Sequence, residues 1–319
     1  MKTNYKILLV TITLLVGSIR FVAAQQDPAY SQYMFNSLLI NPAYAGSRDV
    51  LNLSALYRHQ WVNIDGAPRT LTFAADAPML NEKIGLGVIA NYDQIGYTTT
   101  TGVFGQLAYR LRFSKKGTLS FGASFGAQQY RIDMSNLNYK IPGQTAADAT
   151  FDNNVSKWNP NIGLGLYYAT DKAYIGLSAP HVLNNNINNA SFGISLKENS
   201  GTASQYRHYM LAAGFVSHIS SAWIIKPSTL IKAVSGAPLQ FDINANFWYY
   251  DFIGFGVSYR TTDALVGMVE MQLNPELRIG YAYDYSTNGL NSFNYGSHEI
   301  MLRYELGARK SKMLTPRYF

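Results

Sequence analysis

Thr118-Leu119-Ser120-Phe121-Gly122-Ala123-Ser124-Phe125-Gly126-Ala127-Gln128 alternates an apolar side chain with a small or polar one at every step. Successive side chains of a β-strand point to opposite faces, so this stretch predicts a strand with one greasy face and one small, polar face. The rhythm returns in Ile84, Leu86 and Val88 against Gly85 and Gly87, and in Ile162, Leu164 and Leu166 against Gly163 and Gly165. It returns again in Ile253, Phe255, Val257 and Tyr259 against Gly254, Gly256, Ser258 and Arg260, and in Leu277, Ile279, Tyr281 and Tyr283 against Arg278, Gly280, Ala282 and Asp284. Alternation alone leaves open whether the greasy face meets a soluble core or lipid.

Composition favours lipid. Charged residues are 14% of the chain, well below the roughly 25% of soluble domains, while Tyr, Phe and Gly number 24, 16 and 26. Beyond the N-terminal region no stretch approaches the ~20 apolar residues a membrane helix needs. The remaining membrane solution is a closed barrel, in which every backbone group finds a partner across a strand pair. The expected fold class is therefore all-β: a transmembrane, antiparallel, up-and-down β-barrel over 48–307 with about fourteen strands. They fall near 48–57, 69–77, 83–92, 98–112, 118–132, 158–169, 173–179, 205–218, 222–233, 239–249, 252–260, 264–273, 277–285 and 298–307. The connections sort by parity. Short turns sit at Ser114-Lys115-Lys116-Gly117, Thr170-Asp171-Lys172, Tyr250-Asp251 and Asn274-Pro275, and long stretches at 133–157, 180–204 and 286–297. A barrel with short periplasmic turns and long external loops produces that pattern, and a soluble fold has no reason to.

At the N-terminus, Lys2 and Lys6 precede the apolar run Ile7 to Val16 and then Val22-Ala23-Ala24. Charge, a short apolar core and small residues in that order predict a secretory signal peptide over 1–24, cleaved after Ala24. The chain has no cysteine and so offers no thiol chemistry. The formal charge of +7 overstates the exported part, because Lys2, Lys6 and Arg20 lie in the signal with no acid beside them. The remaining basic residues are scattered, which argues against a nucleic-acid partner.

Two segments flank the barrel, and both are expected on the periplasmic side: residues 25–47 and a basic tail over 308–319 with Arg309, Lys310, Lys312 and Arg317. Tyr30, Tyr33, Phe35 and Tyr44 make the first segment too aromatic to stand free in water, so it is expected to plug the barrel or to dock a periplasmic partner. Glycine on the inward face leaves room for such an occupant. Tyr57, Tyr97, Tyr109, Trp223, Trp248 and Tyr249 near strand ends fit interfacial girdles. Trp61 and Trp158 are expected at or beyond the outer rim, where they, Asp65 and the Asn184 to Asn189 loop are candidates for holding an external partner. His59, His181, His208, His218 and His298 lack the spacing of metal ligands, and no phosphate loop is present, so no metal or cofactor is expected. Ser297-His298-Glu299 is not a hydrolytic set, since neighbours on a strand point apart.

The opening Gln26-Asp27-Pro28-Ala29-Tyr30-Ser31-Gln32-Tyr33-Met34-Phe35-Asn36, with Ile40-Asn41-Pro42-Ala43-Tyr44-Ala45-Gly46-Ser47, resembles that of the PorP/SprF family of Bacteroidetes outer-membrane proteins. The resemblance continues through Tyr57-Arg58-His59-Gln60-Trp61-Val62, Asn159-Pro160-Asn161-Ile162-Gly163, Gly176-Leu177-Ser178-Ala179-Pro180-His181, and Gly296-Ser297-His298-Glu299-Ile300 to Pro316-Arg317-Tyr318-Phe319. It implies a non-enzymatic role in type IX secretion: export or surface anchoring of proteins with a type IX C-terminal signal, in some members gliding adhesins. The implied partners are outer-membrane lipid, a secreted cargo at the cell surface and periplasmic type IX components. The alternative is a passive or hydrophobic-solute transporter, which would call for more inward charge than a Gly/Ser face supplies.

Overall fold

The alternating segments become strands that pair in sequence order around a closed ring. The computed structural model describes residues 30–114, 117–133, 155–183, 207–234 and 237–306. The expected signal peptide, the Asn184 to Asn189 loop and the basic tail lie outside these residues. The strands are β1 (Leu51–His59), β2 (Arg69–Met79), β3 (Ile84–Ile95), β4 (Thr98–Ser114), β5 (Gly117–Ile132), β6 (Val155–Thr170), β7 (Ala173–Ala179), β8 (His208–Phe215) and β9 (Ser217–His218). They continue as β10 (Trp223–Val234), β11 (Gln240–Tyr249), β12 (Ile253–Arg260), β13 (Ala264–Gln272), β14 (Leu277–Ser286) and β15 (Ser297–Leu306). Strand β9 continues β8 past a break at Val216, and both pair with β10, so the ring has fourteen strands. It closes where β1 pairs antiparallel with β15, Leu51 opposite Leu306 and His59 opposite His298.

Which face looks where is now settled. In β5, Phe121 and Phe125 point outward, Phe125 with 55% of its surface exposed, while Ser120, Gly122 and Ser124 are buried inside. Phe73, Val103, Leu164, Val257, Leu265 and Ile300 continue the outward apolar band. For a barrel that band is the lipid contact and not a solubility fault. No helix among the described residues is long and apolar enough to cross a membrane, and the strands do the crossing.

The connections divide by end as the sequence order predicts. At one end every connection is two to four residues long. The other end carries every longer one, including 60–68, 133–154, 180–207 and 287–296. The start of β1 and the end of β15 both lie at the short-turn end.

Two expectations about the inside need correction. The inward face is not only glycine and serine: Arg58, Arg110, Asp76, Asp242, Arg260, Glu270, Asp284, Glu299 and Arg303 all point inward and are buried. Trp248 also turns inward, 1% exposed, with Lys226 Nζ 4.6 Å and the Arg278 guanidinium 4.4 Å from its ring. Its place in an aromatic girdle is taken by the outward rings of Trp223, Tyr249 and Tyr250, which meet one another tilted and edge-on.

Candidate functional site

The segment before β1 is not beneath the barrel but inside it. Residues 31–45 are almost wholly buried, folded as three 3-10 turns at Tyr33–Phe35, Ser37–Leu39 and Pro42–Tyr44. Asn41 and Pro42 fix the last turn. The Asn41 side chain accepts from the Ala43 amide at 2.9 Å, and Pro42 supplies a φ already suited to the first helical position. Short turns leave backbone groups unpaired, and a buried unpaired group is costly, so the barrel wall must complete them. Arg303 donates to the Phe35 carbonyl (2.6 Å) and Ser178 Oγ donates to the Ile40 carbonyl (2.6 Å); in the other direction the Asn41 side chain of the segment donates through Nδ2 to the Leu166 carbonyl of the wall (2.9 Å).

Toward the long-connection end the wall is charged. Glu299 accepts two consecutive backbone amides, Ser31 at 2.9 Å and Gln32 at 2.8 Å. Its other partner is Arg58, Nη1 to Oε2 at 3.1 Å, and Arg58 reaches Asp284 at 2.8 Å. Ser31 Oγ donates to Asp284 at 2.7 Å and accepts from Arg58 at 3.0 Å. Arg260 extends the cluster to Asp242 (3.3 Å), Asp263 (3.1 Å) and Asp284 (3.5 Å). Two buried guanidinium groups and their carboxylates thus meet around one serine, and the charge-assisted bonds to backbone amides are of the stronger kind.

Across the lumen the wall is neutral and close. A Cβ placed on Gly122 would lie 2.1 Å from the Ala43 nitrogen, and one on Gly85 would lie 1.8 Å from the Ala45 oxygen. Gly85 and Gly122 are therefore seats for the backbone of residues 42–46, while Gly254 and Gly256 make room for the Trp248 and Asn246 side chains, so the inward glycines yield space to whatever fills the lumen. At the short-turn end the path finishes with the Gly46 amide on Asp76 Oδ2 (2.8 Å), Arg48 on Glu305, and Arg110 on Asp49 (2.7 Å). Burial works against the Arg48 charge, but Glu305 and the Tyr44 hydroxyl outweigh it and hold that guanidinium above its ordinary pKa.

Toward the long-connection end this side holds a cavity of about 230 Å³, with Asp93 in its lining. Its floor is Leu38, Leu39, Ile40 and Pro42 of the inserted segment, and Thr98, Thr100, Tyr130 and His181 stand toward the mouth. Gln106 and Ser124, opposite each other on β4 and β5, line its wall and are both 5% exposed. Neither side chain has a hydrogen-bond partner among the described residues.

The residues singled out in the sequence do not form one site. Tyr33, Phe35 and Tyr44 sit in the lumen, exposed by 1%, 6% and 1%, with no surface to offer a periplasmic partner. Asn244 Nδ2 donates to the Tyr33 hydroxyl at 2.6 Å, and Tyr44 meets Tyr167 edge-on with ring centres 5.4 Å apart. Tyr30 lines the cavity and shares a 2.9 Å hydrogen bond with Thr72. Trp61 and Asp65 lie in the 60–68 connection, Asp65 exposed and Trp61 donating its amide to Ser297 Oγ at 3.1 Å. Trp158 lies near the long-connection end of β6, on its outward face, opposite Gln129. The charged cluster escaped the sequence reading, although Arg58 and Glu299 lie in motifs quoted for the resemblance. Ser297 and Glu299 point inward while His298 turns outward, its Nδ1 2.6 Å from the Tyr281 hydroxyl.

The family model for the type IX secretion system membrane protein PorP/SprF matches residues 22–304. No curated protein matches the chain. Solved structures of similar shape include the Acinetobacter baumannii outer membrane protein Omp33, at 10% identity and TM-score 0.46, covering 80% of this chain and 97% of that one. Others are the CymD monoaromatic hydrocarbon channel (12%, TM-score 0.45, covering 89% and 94%) and a Pseudomonas aeruginosa FadL homologue (12%, TM-score 0.41, covering 80% and 89%). Likeness at that level carries no functional weight.

Proposed function

The chain belongs to the PorP/SprF family of type IX secretion system membrane proteins, and from that premise we propose that it is a non-enzymatic outer-membrane component that assists export or surface anchoring of proteins bearing a type IX C-terminal signal. In this reading the short-turn end faces the periplasm and the long-connection end the cell exterior, the usual arrangement of such barrels. Residues 30–47 act as a fixed plug. The cargo is held at the outer mouth, by the cavity and the loops around it, and periplasmic components meet the short-turn end.

The observation that supports this best is the filled lumen. A solute pathway needs a continuous route lined by groups free to bind and release, whereas here the inward charges near the long-connection end are engaged with one another and with Ser31 and Gln32. A holding role needs only an outer surface on a rigid base. The test pairs two measurements. Deleting the gene should remove a specific large protein from the cell surface, and the purified barrel in liposomes should show neither steady ion conductance nor uptake of small apolar solutes. Normal surface display in the deletion strain, with conductance or uptake in the liposomes, would make it a transporter instead.

A further inference from the structure

The direction in which the inserted segment runs bears on where the chain starts. Its late end is at the short-turn end, where Gly46 binds Asp76 and Arg48 binds Glu305, near the ends of β2 and β15. Its early end is at the opposite mouth. Tyr30 bonds to Thr72, in the first half of β2, and lines the same cavity as Ile95 and Thr98, which flank the β3–β4 connection at the long-connection end. Ser31 and Gln32 are bound by Arg58, Asp284 and Glu299, which stand at the long-connection ends of β1, β14 and β15. Between Tyr30 and Asp49 the chain makes a single inward pass, and that pass fills the lumen.

We propose that whatever precedes Tyr30 opens to the cell exterior, so that the exported chain begins outside the membrane, at the mouth of the cavity. This departs from the expectation of a periplasmic N-terminal extension, and it rests on the barrel orientation given above. If the signal ends at Ala24, five residues, Gln25 to Ala29, remain before Tyr30. Fully extended they reach about 17 Å, less than the apolar band of roughly 25 Å that a barrel spans, and the lumen below them is taken. They cannot return to the periplasm.

The absence of native cysteine makes the test direct. Asp27→Cys is labelled on intact cells with a membrane-impermeant maleimide, beside Thr287→Cys in a long connection and Asp171→Cys in a short turn, both exposed positions. Heat-modifiable migration checks that each barrel is folded, and Gln26→Cys substitutes if Asp27→Cys fails to assemble. The expected result is that Asp27→Cys labels on intact cells as Thr287→Cys does, while Asp171→Cys labels only after permeabilisation. Protection of Asp27→Cys, while Thr287→Cys labels and Asp171→Cys does not, overturns the proposal and leaves the orientation standing. Labelling of Asp171→Cys on intact cells, with Thr287→Cys protected, overturns the orientation and the proposal with it.

Discussion

The two sides of the lumen hold the same inserted segment by opposite means. On the side of β12, β14, β15 and β1 the wall supplies charge: Arg58, Arg260, Asp284 and Glu299 bind Ser31 and Gln32 through directed, desolvated bonds. On the side of β3 and β5 it supplies proximity, with Gly85 and Gly122 letting backbone touch backbone. A charged wall fails when one group is lost, because its partners stay buried without compensation. A glycine wall fails only when something is added. The difference predicts which substitutions are tolerated on each side, and in what order of severity.

The largest effect should follow Glu299→Ala. It strips the acceptor from two backbone amides and leaves Arg58 short of a counter-ion, and breaking a buried pair by removing one partner costs ~3–5 kcal/mol. The denaturation midpoint of the refolded barrel should fall, and residues 30–47 should become open to protease; a midpoint equal to the parent's would show that the charged wall is dispensable. Next comes Gly122→Leu, which drives a side chain into Ala43. Overpacking of this kind costs ~1–3 kcal/mol, and since the strand pairs of β5 are untouched, the barrel should still fold while the inserted segment loosens. Protease resistance of that segment in the variant would break the contrast between the two walls.

Tyr33→Phe removes the hydrogen bond from Asn244 and nothing else, a loss of ~1 kcal/mol, visible as a small drop in the same midpoint. The smallest effect on stability is expected for Gln106→Leu with Ser124→Ala, because these side chains line the cavity without partners. If the cavity holds cargo, this double variant should lose surface retention at unchanged stability, and full retention would remove the cavity from the proposed mechanism.

The strands were legible because period-two alternation survives whatever fills the barrel. The stretch predicted at 118–132 is β5 at Gly117–Ile132, and that at 252–260 is β12 at Ile253–Arg260. Parity of the connections identified the two ends for the same reason. The charged wall was not legible. Arg58 and Glu299 are far apart in sequence and become neighbours only through the register that joins the first strand to the last, where they stand opposite each other. Asp284 arrives from β14, whose register sets it opposite Ser297. No local pattern carries such a meeting. Trp248 was misplaced for a simpler reason: in Asn246-Phe247-Trp248-Tyr249 three aromatics run together, and the alternation does not say which of them turns in until Asn244 and Asn246 are known to be inward.

That seam between β1 and β15 also bears on assembly. Arg58 and Glu299 come from its two edges, and the carboxylate's remaining demand is met by the amides of Ser31 and Gln32. A ring closed without that segment would leave Glu299 with Arg58 across the seam and without the two amides it accepts in the finished barrel, so closing the seam and seating the N-terminal segment support each other energetically.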